Sequence, residues 1–109
     1  MKLAPDVLNA KVQQAVNDLK RYQPQQVILF GSAARGDADE HSDLDFVVIK
    51  ETTMPFVERL VDVVKRCTVA GGVDILVYTP EEFSHMREEE NPFIERVLAE
   101  GKVVYERSA

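Results

Sequence analysis

Apolar positions along this chain switch between helical and strand periods. Leu8, Val12, Ala15, Leu19 and Tyr22 recur at helical spacing, which predicts an amphipathic helix over 6–21 behind Pro5. Pro24 closes it, and Val27-Ile28-Leu29-Phe30 reads as a buried strand. Gly31 interrupts that strand, and Ser32-Ala33-Ala34-Arg35 has the composition of a short helical turn. Gly36 to Ser42 is polar, and Leu44 to Ile49 reads as a second strand. Thr53 and Pro55 open another helix, whose apolar face is expected to be Phe56, Leu60, Val64 and Cys67. Gly71-Gly72 turns the chain into a third strand, Val73 to Tyr78. Thr79-Pro80-Glu81-Glu82 is a capping box with proline at the first helical position, and Tyr78 and Phe83 occupy staple positions. Asn91-Pro92 caps a last helix that ends at Gly101, and Val103-Val104-Tyr105 forms a short final strand. The order α-β-α-β-α-β-α-α-β implies an α/β (α+β) fold, a mixed β-sheet flanked by helices.

The totals narrow the function classes. A chain of 109 residues, 45% apolar and 29% charged, is expected to form one domain over 1–109 with an ordinary globular core. Net charge is −6, so there is no broad basic footprint and long nucleic acid is not the default partner. No leader-like start and no apolar run of membrane-spanning length are visible, and no membrane partner is expected. The single cysteine, Cys67, cannot form an internal disulfide and is read as a buried thiol. A cytoplasmic location follows as the expectation.

The chemistry concentrates in Gly31-Ser32, then ten residues, then Asp43-Leu44-Asp45. Four such identities at fixed spacing should arise by chance on the order of once in a thousand chains of this size, so the pattern calls for an explanation. Alternate strand residues share a face, so Asp43 and Asp45 should project together while Leu44 points away. Two neighbouring carboxylates are costly unless a cation sits between them, and Mg²⁺ suits oxygen ligands of this kind. Asp74 falls between Val73 and Ile75 in a strand that reads as buried, where an unpaired acid is expensive. A strand-end Asp in solvent is its bland reading; beside Asp43 and Asp45, a third carboxylate reaching a second metal makes a two-metal phosphoryl-transfer site. Arg35 either steadies phosphate oxygens or is an exposed helix-end cation. Ser42 is read as steadying the loop before Asp43, His41 and His85 as bystanders, and Glu88-Glu89-Glu90 as a solvated face.

Gly31-Ser32 with Asp43-Leu44-Asp45 and the later strand residue Asp74 resembles the nucleotidyltransferase superfamily that includes DNA polymerase β. More narrowly, the run from Phe30 to Ala38 followed by Ser42-Asp43-Leu44-Asp45 is similar to the minimal nucleotidyltransferases (MNT). The resemblance extends over almost the whole chain, through Val73-Asp74-Ile75 to the ending Glu100–Glu106, and no motif position is lost. It implies a polymerase β-like fold and transfer of a nucleoside monophosphate from an NTP to a hydroxyl, with release of pyrophosphate. Asp43 and Asp45 would bridge two Mg²⁺ ions, and Asp74 would complete the second site and help deprotonate the acceptor. Gly31, Ser32 and Arg35 would bind the nucleotide's phosphates.

Many members of that family are antitoxins encoded beside a HEPN-domain ribonuclease toxin, and some adenylylate a tyrosine of it. The resemblance therefore implies ATP as donor and a HEPN-domain protein as partner. A small-molecule acceptor would need a second pocket, which a homodimer could supply. The alternatives from other classes are a non-catalytic antitoxin that occludes its partner, and an NTP sensor that does not turn over.

Overall fold

Among the described residues, 1–66 and 72–108 of a computed structural model, the elements follow the predicted order. They are α1 (Pro5–Lys20), β1 (Gln26–Phe30), α2 (Gly31–Arg35), β2 (Leu44–Ile49), α3 (Phe56–Val64), β3 (Val73–Tyr78), α4 (Pro80–Glu88), α5 (Pro92–Glu100) and β4 (Lys102–Glu106). The sheet order is β3-β2-β1-β4, with β2 and β3 parallel and the other pairs antiparallel. A parallel pair needs a crossover, and the segment containing α3 makes it.

Strand alternation splits the apolar side chains between two cores. Val27, Leu29, Leu44, Phe46, Val48, Ile75 and Val77 face α1 and Val63 of α3. Ile28, Val47 and Ile49 face Phe83 of α4 and Ile94 and Val97 of α5. β2 is buried on both faces from Phe46 to Ile49, as expected of a central strand. No helix among the described residues is long and apolar enough to cross a membrane.

Local chemistry sets the helix starts. The Thr79 hydroxyl accepts from the Glu82 N–H at 3.1 Å, and the Glu82 carboxylate accepts from the Thr79 N–H at 2.8 Å, completing the capping box. Asn91 Oδ1 accepts from the N–H groups of Phe93 and Ile94 at 3.0 and 3.2 Å.

α3 departs from expectation. Its buried residues are Arg59 and Val63, whereas Phe56 is 37% and Val64 54% exposed. Cys67 and Gly71 lie outside the described residues. The helix is rotated because Arg59 finds inward partners. Its Nε donates to the Met54 carbonyl at 2.7 Å, and Nη1 donates to the Val77 carbonyl at 3.1 Å. The guanidinium also forks onto Glu82 at 2.6 and 3.2 Å. A buried charge is tolerable only when paired and hydrogen-bonded, and here it is both. The bond from Arg59 holds the Glu82 carboxyl below its ordinary value, helped by the Thr79 N–H.

Glu82→Ala removes both the fork and half of the capping box, leaving a buried guanidinium with carbonyls alone. Denaturant unfolding of this variant should show a loss of about 2–4 kcal/mol at neutral pH. Because the folded-state pKa of Glu82 is depressed, the difference from wild type should shrink as pH falls through that value.

Candidate active site

β1 reaches its end at Phe30 in extended conformation, and Gly31 turns the chain into α2 with φ +72°. That angle favours glycine, and the missing side chain has a second use. A Cβ at Gly31 would stand 2.3 Å from Asp45 Oδ2, so the carboxylate occupies the space a side chain would fill. Ala33 and Ala34 anchor the turn in the α1-side core, and Gly36, left-handed at φ 84°, ends it.

The sheet register brings the acids together. Phe30 pairs with Asp45, and Asp45 pairs with Asp74, so the three residues form one row on the face that carries α4 and α5. Phe93 of α5 packs edge-on against Phe30 with centroids 5.5 Å apart, giving the row an apolar wall at one side. Asp45 is half-buried, while Asp43 and Asp74 are exposed. The expectation that Asp74 would sit in a buried strand is therefore corrected: β3 is an edge strand, and its beginning opens to water.

Burial pushes the Asp45 carboxyl above the usual carboxylate range. The charges of Asp74 and Asp43 and a side-chain hydrogen bond with Asp74 push it further, and Arg35 opposes them. Asp43 leans elsewhere: a Cβ at Gly72 would stand 2.1 Å from its Oδ1. Among the described residues, no three acidic, His or Cys side chains close into one metal-ligating cluster. The structure thus brings Asp45 and Asp74 together and holds Asp43 near them but turned toward Gly72.

Arg35, at the end of α2, is bracketed by two acids. Its Nε lies 3.3 Å from Asp37 and its Nη1 3.4 Å from Glu100 at the end of α5. Ser32 is half-buried in the first residues of α2. The loop before Asp43 is steadied as expected: Ser42 Oγ accepts from the Asp39 N–H at 3.0 Å and donates to Asp39 Oδ1 at 3.1 Å. His41 and His85 are exposed and paired with Glu40 and Glu89. Gly72, Phe93 and Glu100 were invisible to sequence reasoning as site residues, since only the folded register brings them near the acids.

The donor set fits a divalent metal. Asp43, Asp45 and Asp74 offer hard carboxylate oxygens, and Asp45 carries an excess of like charge that a cation would relieve. The missing side chain at Gly31 is what lets the Asp45 carboxylate lie against the turn.

Comparison with known proteins gives this geometry a family. The model of the polymerase β nucleotidyltransferase family matches residues 13–109, most of the chain. The chain belongs to that family. This nucleotidyltransferase is 32% identical over 97 residues to a Methanocaldococcus jannaschii protein provisionally named a protein adenylyltransferase, covering 86% of this chain and 94% of the relative. Its fold matches that of a Sulfolobus solfataricus protein provisionally described as a nucleotidyltransferase, with TM-score 0.66 and 18% identity, over 94% of this chain and 86% of the other. It also matches a chain from a toxin–antitoxin structure with AMP-PNP, with TM-score 0.60 and 19% identity, over 88% of this chain and 73% of that one. At these identities the solved structures establish likeness of fold.

The strained acid of this nucleotidyltransferase gives a stability test. The raised Asp45 pKa means that the folded state holds that proton more tightly than the unfolded chain does. The corresponding stabilisation is complete below the unfolded value and is lost as pH rises through the folded one. Asp45→Asn should therefore melt higher than wild type at neutral pH in metal-free buffer. Scanning calorimetry across acidic pH should show that advantage shrinking as Asp45 becomes protonated in the wild type.

Proposed function

We propose that this chain is a Mg²⁺-dependent protein adenylyltransferase. It takes ATP as donor and a tyrosine hydroxyl of a HEPN-domain ribonuclease toxin as acceptor, and so acts as an antitoxin in the cytoplasm. The observation that carries the reading is the placement of Asp45 against the side-chain-free turn at Gly31 and beside Asp74. Acids crowded together against a glycine turn are arranged for a cation, not for packing. The name of the Methanocaldococcus jannaschii relative supports a protein acceptor, and the toxin–antitoxin fold match with AMP-PNP supports a toxin partner and an adenine nucleotide.

In this reading Asp43 and Asp45 would hold the metal bound with the triphosphate, and Asp74 would complete a second site. There a divalent metal would offset the charge of the phosphates and lower the pKa of the acceptor hydroxyl. The Ser32 hydroxyl donates to a phosphate oxygen, and Arg35 exchanges part of its contact with Asp37 and Glu100 for the triphosphate. Asp74 accepts the proton of the tyrosine hydroxyl as its oxygen bonds to the α-phosphorus. The bond from that phosphorus to pyrophosphate breaks, and pyrophosphate departs.

Intact-mass analysis of a HEPN-domain protein encoded beside this chain, incubated with it, ATP and Mg²⁺, tests the proposal beside an Asp45→Asn control. Mass should be gained in AMP units with wild type alone. An unmodified toxin that is nevertheless bound and inhibited would replace catalysis by occlusion.

A further inference from the structure

The rotation that buries Arg59 turns an apolar stripe of α3 toward solvent. Val57, Val61 and Val64 are 69%, 54% and 54% exposed, and their spacing sets them in one line along the helix. One exposed valine is ordinary, but three in line on a short helix form the kind of patch that marks contact surfaces. A groove of about 350 Å³ runs along one flank, lined by Met54, Val57, Glu58, Val61, Asp62 and Lys65. Glu58 and Lys65 stand on that same flank about two turns apart. Both are exposed, and neither is held in an ion pair among the described residues, whereas Asp62 is paired with Arg66 at 3.6 Å.

We propose that this face of α3 is the interface of a two-fold symmetric dimer, in which α3 packs antiparallel against α3 of a second copy. The charge pattern selects both the occupant and the direction. A two-fold axis perpendicular to the helices keeps the same flank of both copies together and sets Glu58 opposite the partner's Lys65, twice. The valine stripes meet around Val61, and each covers the partner's groove. Parallel packing would oppose Glu58 to the partner's Glu58 and Lys65 to the partner's Lys65, which like-charge repulsion disfavours. Strand addition at the sheet edges, β3 and β4, is a different route to self-association, and β4 is poorly suited to it. That strand carries Lys102, and its pairing with β1 is irregular between Val27 and Ile28, features that discourage strand addition. α3 packs on the opposite face of the sheet from the row of Asp45 and Asp74, so the dimer leaves that row open.

Sedimentation equilibrium of the full chain, from low micromolar to the highest attainable concentration, should show a concentration-dependent dimer. A monomer throughout would overturn the proposal. Val61→Glu places two carboxylates at the axis and should abolish the dimer without changing circular dichroism or melting, because Val61 lies at the surface. A dimer that survives this substitution would assign self-association to another face. Glu58→Lys and Lys65→Glu should each weaken the dimer by about tenfold, and the double reversal should restore it. Failure of the double variant to recover would sink the antiparallel arrangement.

Discussion

Parallel pairing of β2 with β3 holds Asp45 next to Asp74, and the character of the site follows from that enforced proximity. The strands cannot slip to relieve it. Phe46, Val47 and Val48 are fully buried in β2, and a shift of one residue would turn each to the wrong face. Two cores therefore fix the register, and the register fixes the acids. Relief comes from three local features. Asp74 opens to water at the start of an edge strand, Gly31 leaves room for Asp45 Oδ2, and Arg35 adds an opposing charge. The result is an acid held above its ordinary pKa by burial and by the like charges beside it.

Much of this was legible in the sequence because it is local chemistry. The Thr79–Glu82 box and the Asn91 cap are read from residues three or fewer apart, and both form as expected. The Gly31-Ser32 turn and the two-residue spacing of Asp43 and Asp45 are equally local. Strand alternation carries the rest, since the apolar runs in β1, β2 and β3 had to be strands for their side chains to divide between two cores.

What stayed hidden depends on partners far along the chain. The period of α3 marks Phe56, Leu60 and Val64 as its inner face, because pattern reading counts arginine as polar. Arg59 goes inside because Glu82 and the carbonyls of Met54 and Val77 are there to receive it. The exposure of Asp74 is set by the sheet order, which places β3 at an edge. The bracketing of Arg35 by Glu100 joins positions that only the fold brings together. Each miss is a case of tertiary pairing overriding local pattern.

The arginine that upsets the pattern also explains the outer surface of the helix. Arg59 and Val63 can face inward only if Val57, Val61 and Val64 face outward, since a helix so short has one rotational setting. Leaving three valines largely in water forgoes roughly 1 kcal/mol each of burial, a considerable sum for a small domain. The Arg59–Glu82 network makes that setting stable within one chain, by tying α3 to the start of α4 through fixed hydrogen bonds. It also holds the valines in a rigid line, so their burial against another surface requires little further ordering. An internal ion pair can in this way create an external contact face, and the acidic row on the other side of the sheet is untouched by it.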